Sequence, residues 1–491
     1  MAKDLREPLL TPKPVNLVGL VALIFFSVSG GPFGNEGAVA AAGPFWALLG
    51  FTIFPIIWCV PEALITAELT SVFPGNAGFV SWVAAAFGPY WGFQEGWLSW
   101  CASVTSNAVY PHLFLEYLKT PFPIFQESYL ASLIFLVSFP IMMSYVNYRG
   151  LDVVSNLGVM LMVFVLGPFI LITILGFPLI EPGNLWIGWD RIPQIVPDSP
   201  TGAISLFNIL FWNLNNWDSV SLISGEVVNA RQNIPKAMAI AMIVTTVSYL
   251  LPMAVGIGMM RPGVDGIIDS NDWSAGYYQQ IAYSVGGWPL SFWVLASATV
   301  AIIGQFQALV SSSSYGLQAM ANLGWLPAFF AGSSKYGTPS TGIGMAIVAV
   351  LLQTGLDFMS ILQMLNGVYC VAEVVEFSAF LSLRRNYPDL HRQFRVPLEF
   401  RGCVLMCILP FCFLLFMLSL PILGKQLNIT GFVLVVIATG NVLYLVVEGL
   451  RMTGWVKFLR KPPRSPYELI ALFQTPNINA LGSGPVTALS I

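Results

Sequence analysis

Two apolar stretches of this sequence are interrupted near their middle: LVGLVALIFFSVSGGPFGNEGAVAAAG at residues 17–43 and AISLFNILFWNLNNWDSVSLISGEV at residues 203–227. Ser-Gly-Gly-Pro at 29–32 breaks the first, and Asn-Leu-Asn-Asn-Trp-Asp at 213–218 breaks the second. Unpaired backbone groups in hydrocarbon cost several kcal/mol each, so a membrane helix is interrupted only where it lines a cavity or a site. Two such breaks in corresponding places of two halves indicate the substrate site of a secondary transporter built from inverted repeats.

The composition predicts an all-α integral membrane protein. Of the 491 residues, 56% are apolar and 9% are charged, and the net charge is −3, whereas about a quarter of the residues of a soluble protein are charged. The expected surroundings are therefore a lipid bilayer, without nucleic acid as a partner. A scan for apolar stretches of about 20 residues predicts twelve spans, at 17–43, 45–69, 90–117, 128–146, 152–176, 203–227, 236–260, 287–318, 340–355, 358–383, 402–423 and 428–450.

The positions of Lys and Arg predict the orientation of these spans. With the N-terminus inside, 17 of the 21 basic residues lie in the cytoplasm, and Lys119, Arg191, Arg261 and Lys425 lie outside. Basic residues are retained on the cytoplasmic side, so we expect a multi-pass protein of the cell membrane with both termini in the cytoplasm. The predicted parts are a cytoplasmic tail at 1–16, repeat 1 at 17–176, repeat 2 at 203–383, two peripheral spans within 402–450 and a cytoplasmic tail at 451–491.

The reactive residues do not predict an enzyme, a metal site or a cofactor. The six cysteines lie in apolar surroundings and lack the His partners and spacing of a zinc site. The chain has only two His residues and no HExxH pattern.

Acidic residues occur inside the predicted spans, which contain no Lys or Arg. They are Glu36, Glu62, Glu68, Glu95, Asp218, Glu226, Glu373 and Glu376. Acids at membrane depth must be protonated, paired with a cation or open to water, so the pattern favours a protein that handles protons or cationic groups. We expect water and Arg231 to reach Glu68, Glu95 and Glu226 near the cytoplasmic ends of their spans. Glu36 and Asp218 lie just past the breaks near the midplane.

The chemistry of the breaks suits an amine or an amino acid. A half-helix that begins after a break offers free N–H groups to a carboxylate, and the carbonyls that end the preceding half can receive an ammonium. The alternative is a packing kink. The candidate substrate-binding residues are Ser29, Gly30, Gly31, Glu36, Trp212, Asn213, Asn216, Trp217 and Asp218. Candidates for proton coupling are Glu36, Asp218, Glu373 and Glu376, and pathway candidates are Asn107, Tyr110 and Tyr369.

Several stretches resemble the amino acid-polyamine-organocation superfamily, and within it the polyamine uptake and L-type amino acid transporter-like members of plants and protists. They are SGGPFGNEG, FPIIWCVPEALITAEL, GFQEGWLSWCASVTSNAVYPHLFLEYLK, FWNLNNWDSVSLISGEV with NIPKA, AMANLGWLPAFF, and VYCVAEVVEFSAFLSLRRNYPDL with FRVP. The resemblance implies a five-plus-five inverted repeat, two peripheral helices and transport driven by protons. It places Ser29 to Gly31 and the 213–218 segment around the substrate, and Glu376 as a matching acid in the tenth span.

Departures from that pattern leave the substrate and the coupling ion open. Ser27, Gly37 and Ser106 stand where the plant polyamine pattern has acids, and losing acids removes charge-assisted contacts to ammonium groups. Glu373 is an additional acid one turn from Glu376, and two acids this close resist simultaneous ionisation. This favours a proton-carrying role, with a solvated pair near the cytoplasmic mouth as the alternative. The serines at 311–314 resemble a sodium site of related folds, but serines also bond helix to helix.

The prediction is a secondary active transporter that carries polyamines such as putrescine and spermidine into the cell with protons by alternating access. A proton-coupled permease for neutral or cationic amino acids is the alternative, and a substrate sensor that does not transport is the second. The expected partners are a small organic cation or amino acid, protons and the lipid bilayer.

Overall fold

A computed structural model describes residues 14–119, 122–194, 202–260, 273, 276–356, 358–424 and 426–474. Residues 1–13 of the predicted N-terminal tail and 475–491 of the predicted C-terminal tail lie outside these ranges, as do the basic residues Lys3, Arg6, Lys13, Arg261 and Lys425. Within the described ranges the fold is all-helical, and its one strand-like pairing is an isolated bridge between Val15 and Val227.

The first half of the chain contains nine helices in the described ranges: α1 Leu17–Val28, α2 Glu36–Ala42, α3 Pro44–Phe54, α4 Val60–Val72, α5 Gly78–Phe87, α6 Pro89–Lys119, α7 Ile124–Glu127, α8 Tyr129–Arg149 and α9 Leu151–Gly176. The second half contains eight more in those ranges: α10 Ala203–Leu214, α11 Ala230–Gly258, α12 Tyr277–Asn322, α13 Ser340–Leu352, α14 Phe358–Asn386, α15 Phe400–Leu423, α16 Leu427–Thr453 and α17 Pro466–Gln474. Each predicted span overlaps one or two of these helices.

Eight of the described helices are long and apolar enough to cross a membrane, when α3, α4 and the turn between them are counted as one helix from Pro44 to Val72. Helices α1, α5 and α13 are apolar but shorter. Exposed apolar side chains are abundant, as on α8, where Ile134 and Met142 are 59% and 64% exposed. Such surfaces are stable against lipid rather than against water. The chain is therefore a multi-pass membrane protein.

Two helices differ from the sequence prediction. Helix α5 falls in a stretch without a predicted span, because its ten residues are too few to cross a bilayer. It packs against α6 and α14 and buries Trp82 and Val83 completely. Helix α12 begins ten residues before the predicted start, at 277, and contains a non-helical Gly287 with φ 68°, two residues before Pro289.

Both predicted interruptions are present. Helix α1 ends at Val28, and Gly30, Gly31 and Gly34 follow with φ of 70°, 108° and 82°. These left-handed backbone angles are accessible to Gly and strained for other residues. Helix α10 ends at Leu214, and the chain continues after Asn216, whose φ is 69°, as a 3₁₀ helix at Asp218–Glu226. Each break therefore leaves backbone N–H and C=O groups without the internal partners that a continuous helix would provide.

A π-helical turn at Pro55–Cys59 joins α3 to α4. The Val60 N–H donates to the carbonyl of Pro55, five residues earlier, instead of the usual four. The next residue is Pro61, which has no N–H to donate and would crowd the carbonyl four residues before it in a regular helix. The turn places Glu62 on the face of α4 that meets the second break.

The prediction that water and Arg231 reach the outlying acids is wrong for Glu68. Its carboxylate is 0% exposed and forms ion pairs with Arg384 at 2.6 Å and Arg392 at 2.9 Å. It also accepts the Val396 N–H at 2.8 Å, because the connection after α14 folds back over the end of α4. Burial lowers the pKa of the Arg392 guanidinium, and the neighbouring Glu68 carboxylate raises it.

Glu95 is also enclosed, contrary to the prediction, whereas Glu226 is partly exposed. Glu95 is 0% exposed because its face of α6 is covered by α14. The Glu226 carboxylate accepts a hydrogen bond from the Asn76 amide at 2.9 Å. Neither acid takes part in an ion pair with Arg231 among the described residues.

The hydroxyls of the 311–314 serines are mostly used in helix packing. The Ser311 hydroxyl lies within hydrogen-bond distance of two acceptors, the carbonyl of Gln307 at 2.9 Å and Oδ1 of Asn147 on α8 at 2.5 Å. Ser312 and Ser313 donate to carbonyls one turn earlier on α12. These bonds favour the packing interpretation over a sodium site.

Candidate functional site

The two breaks lie against each other. A Cβ added at Gly34, in the first break, would come within 2.5 Å of the Trp212 ring at the end of α10. Asn213 follows Trp212 and accepts a hydrogen bond from the Tyr249 hydroxyl of α11 at 3.0 Å. Trp212 and Asn213 are 5% and 3% exposed. These predicted site residues therefore form the packed junction between the two breaks.

On the opposite side of the first break, Gln305 of α12 fills the space beside the predicted residues Ser29 and Gly30. Its amide donates to the carbonyl of Ser29 at 2.8 Å. A Cβ at Gly30 would lie 2.5 Å from the Gln305 side chain, and one at Gly31 would lie 2.8 Å from Val165. The glycines are thus required by close approach as well as by backbone angle.

A buried carboxylate from α4 binds the second break. Glu62 Oε1 accepts the backbone N–H of Trp217 at 2.6 Å and that of Asp218 at 3.3 Å. The Tyr369 hydroxyl on α14 lies 3.0 Å from the same oxygen and 2.8 Å from Asp218 Oδ1. That hydroxyl also accepts the backbone N–H of Asn216 at 3.0 Å. Four of these groups are predicted site or pathway residues, and Glu62 is the one that the sequence analysis did not select.

Glu373 completes a cluster of three acids with Glu62 and Asp218, here called the acid cluster. Carboxylate oxygens of the three residues lie within 4.8 Å of one another. The three residues are only 1–3% exposed. Glu62 Oε2 and Glu373 Oε1 have no hydrogen-bond partner among the described residues. The described ion pairs all lie elsewhere, so the cluster has no internal counter-charge.

The row of acids continues along α14 toward α6. Glu376 lies one turn beyond Glu373 on α14, and Glu95 lies on the α6 helix against which α14 packs. Glu95 accepts the Ser99 hydroxyl at 2.7 Å. Glu376 is 3% exposed. The alternative of a solvated pair at 373 and 376 therefore does not fit, because both side chains are enclosed.

Glu36 has different neighbours from Asp218. Its carboxylate accepts the backbone N–H of Gly34 at 2.7 Å and that of Gly276, before α12, at 3.4 Å. The side chain is 1% exposed. The sequence prediction grouped the two acids in one site, and the structure assigns Glu36 to the first break and Asp218 to the acid cluster.

The remaining pathway candidates lie on α6. Asn107 is 0% exposed, and neither its amide nitrogen nor its amide oxygen has a hydrogen-bond partner among the described residues. Tyr110, one turn later, is 2% exposed. An unpaired buried amide costs free energy, so Asn107 is suited to contact a polar solute.

The acid cluster is suited to bind a cation. Three carboxylates and one tyrosine hydroxyl present oxygen acceptors, and an alkylammonium carries three N–H donors. Oxygen ligands of this kind also suit a hard metal ion such as Ca²⁺ or Mg²⁺. Without a cation or bound protons, the mutual repulsion of buried carboxylates at this distance is unfavourable. The cluster is therefore suited to hold bound protons or a cation.

Comparison with known proteins identifies a family that the chain matches over most of its length. A model of the amino acid permease family matches residues 15–447. The polyamine transporter PUT1 of Oryza sativa subsp. japonica is 40% identical over 451 residues, which cover 92% of this chain and 81% of that protein. The polyamine transporter RMV1 of Arabidopsis thaliana is 39% identical over 448 residues, covering 91% and 88%. A further Arabidopsis protein, described as a probable polyamine transporter, is 40% identical over 459 residues, covering 92% of each chain. The matched range includes both breaks and the acid cluster.

Proposed function

Because this chain belongs to the amino acid permease family, we propose that it is a secondary active transporter that carries polyamines into the cell together with protons. The observation on which the proposal depends is the acid cluster. Glu62, Asp218 and Glu373 are buried beside the second break without a basic partner among the described residues. A polyamine brings ammonium groups that supply the missing charge.

The names of the relatives support the same substrate class. Proteins about 40% identical over most of this chain are named as polyamine transporters. Spermidine and putrescine carry two or more ammonium groups and no carboxylate. In the proposed complex one ammonium binds in the acid cluster, and the rest of the molecule extends past Trp212 and Asn213 toward Ser29, Gly30 and Gly31. The Trp212 ring and the Gln305 side chain, which pack against the first break in this structure, move aside in that complex.

We propose for the whole chain a fold of twelve spans with a five-plus-five inverted repeat. Repeat 1 comprises residues 17–176, repeat 2 comprises 203–383, and the two helices within 402–450 are peripheral. The excess of basic residues on one side favours cytoplasmic tails at 1–16 and 451–491 in a protein of the cell membrane. Helices α1 and α10, which precede the two breaks, are each 12 residues long, and this supports corresponding places for the breaks in two repeats that rock against each other around a fixed site.

Proton coupling is proposed to use the acids near the site. Three buried carboxylates this close resist simultaneous ionisation, so one of them keeps a proton while the others bind the ammonium, and the proton and the ammonium cross the membrane together. Glu376, one turn beyond Glu373 on α14, is a further buried acid that can carry a proton. Glu36 accepts the Gly34 N–H of the first break, so its protonation would change separately, when that break moves and the hydrogen bond is lost. One buried set of carboxylates then holds a proton and an ammonium at the same time, as symport requires.

Uptake into liposomes tests the proposal. The purified protein should accumulate labelled spermidine when the outside is more acidic than the lumen, and an ionophore that collapses the proton gradient should abolish accumulation. A sodium gradient at equal pH should drive none. Uptake that depends on sodium instead would overturn the coupling proposal, and binding of spermidine without accumulation under either gradient would select a substrate sensor.

The substrate is tested by competition in the same liposomes. Unlabelled putrescine should compete with labelled spermidine. Competition by leucine or arginine, with none by putrescine, would select an amino acid permease instead.

A further inference from the structure

The backbone N–H groups of the second break are occupied by side chains of this protein. Those of Trp217 and Asp218 bind Glu62 Oε1, and that of Asn216 binds the Tyr369 hydroxyl. Glu62 lies 155 residues before Trp217 in the chain, so this is a tertiary contact and not a local cap. These amides begin the 3₁₀ segment, where a free helix N-terminus would attract an anion.

The first break is closed in the same way. The Gly31 N–H donates to the hydroxyl of Ser29 at 3.0 Å, and the Gly34 N–H donates to the carboxylate of Glu36 at 2.7 Å. Two glutamates, one for each break, therefore occupy the amides that a broken helix presents to a bound anion.

We propose that Glu62 is a built-in substitute for a substrate carboxylate, and that it makes this site select amines over the corresponding amino acids. The proposal depends on the proposed function and deepens it. An α-amino acid needs both an acceptor set for its ammonium and a donor set for its carboxylate. In this site the carboxylates of Asp218 and Glu373 remain available as acceptors for an ammonium. The backbone N–H donors of Trp217 and Asp218, which could bind a carboxylate of the substrate, already bind Glu62.

Electrostatics acts in the same direction. A carboxylate that approached the amides of Trp217 and Asp218 would have to displace a charge-assisted hydrogen bond of 2.6 Å. It would also come close to carboxylates that lie within 4.8 Å of one another. An unpaired anion in these buried surroundings is strongly unfavourable. A ligand that lacks the carboxylate meets neither obstacle.

Matched ligand pairs test the proposal. Ornithine is putrescine with an added α-carboxylate, and arginine is related to agmatine in the same way. Binding of all four compounds is measured by calorimetry on the purified protein and on two variants. Glu62→Ala removes the carboxylate and frees both amides, whereas Glu62→Gln removes the charge but retains a carbonyl oxygen that can still accept the two N–H groups.

The wild-type protein should bind putrescine more tightly than ornithine and agmatine more tightly than arginine. For each pair, the preference is the Kd of the amino acid divided by the Kd of the amine. In Glu62→Ala this ratio should fall by about tenfold or more, because the freed backbone N–H groups can now bind the carboxylate of the amino acid. In Glu62→Gln both amines should bind more weakly, but the preference for them over the amino acids should remain, since the amides stay occupied.

The outcomes separate this inference from the proposed function. Wild-type protein that prefers arginine to agmatine overturns the proposed substrate class itself. Wild-type preference for the amines with an unchanged ratio in Glu62→Ala leaves the transport proposal intact and overturns the role of Glu62. If Glu62→Ala fails to yield a monodisperse protein, Glu62→Asp takes its place, because it withdraws the carboxylate by one C–C bond, about 1.5 Å, and should shift the ratio in the same direction. An unchanged ratio in that variant is equally contrary to the proposal.

Discussion

Replacing Asp218 by Asn isolates the charge of one acid in the cluster. The two side chains have nearly the same shape, and an Asn oxygen can still accept the Tyr369 hydroxyl that now lies 2.8 Å from Asp218 Oδ1. The variant therefore keeps the local packing and loses one negative charge at a residue that is 3% exposed. Because removing a buried charge also removes repulsion from Glu62 and Glu373, we expect the folded protein to remain at least as stable.

The expected effect on binding follows from the lost ammonium contact. A hydrogen bond to a charged group contributes about 1.5–3 kcal/mol, which corresponds to a rise of about 10- to 150-fold in Kd for spermidine. Glu62 and Glu373 remain, so binding should weaken within this range. Uptake at spermidine concentrations below Km should fall by at least the same factor.

Binding is measured by calorimetry, uptake in liposomes, and folding by thermal unfolding in detergent. The matched control is Asp190→Asn, the same substitution at an exposed position, which should leave all three unchanged. An Asp218→Asn protein with the spermidine affinity of the wild type would refute the assignment of the cation site to the acid cluster. A loss of affinity accompanied by a lower unfolding temperature would instead indicate that Asp218 acts on the structure of the break.

Three other substitutions test the described contacts. Gly34→Ala should destabilise the protein by at least about 1–3 kcal/mol, since φ is 82° and the new Cβ meets a ring at 2.5 Å; thermal unfolding should show no such loss for Gly183→Ala, where a Cβ has open space. Glu68→Gln should destabilise by about 3–5 kcal/mol, because it breaks a buried ion pair, while Glu448→Gln, at a pair that is 33% exposed on the acid side, should cost about 1 kcal/mol or less. An equal unfolding temperature for these two variants would contradict the reasoning. Glu373→Gln should retain spermidine exchange across liposomes but lose acceleration by a pH gradient, and unaltered gradient-driven uptake would remove this acid from the coupling proposal.

Local chemistry explains why both breaks could be predicted from the sequence. Gly30, Gly31 and Pro32 disfavour a continuous helix through their own backbone preferences, and three Asn and one Asp near the middle of residues 203–227 are polar enough to stand out in an apolar stretch. The eight helices that are long and apolar enough to cross a membrane are predictable for a similar reason, because a helical run of about 20 apolar residues matches the thickness of the hydrocarbon core. Helix α5 was missed since its ten residues are below that length.

The role of Glu62 could not be predicted in this way. Eight acids occur in the predicted spans, and only the three-dimensional contact with the Trp217 N–H distinguishes Glu62 from the others. A local signal does exist, because Pro55 and Pro61 in one apolar stretch predict an irregular turn just before this acid. Glu68 was misread for a similar reason: its partners Arg384 and Arg392 lie more than 300 residues away in the chain, and their positions depend on how the connection after α14 folds.

The π-helical turn at Pro55–Cys59 sets the rotational phase of everything that follows it on α4. One additional residue in a helix rotates the subsequent side chains by about 100° relative to an uninterrupted α-helix. Deleting a single residue from the turn would thus rotate Glu62 away from the Trp217 N–H and Glu68 away from Arg384 at the same time. A change of one residue in the length of this turn would therefore alter both the contact of Glu62 with the second break and the ion pairs of Glu68, so that substrate preference and stability would change together.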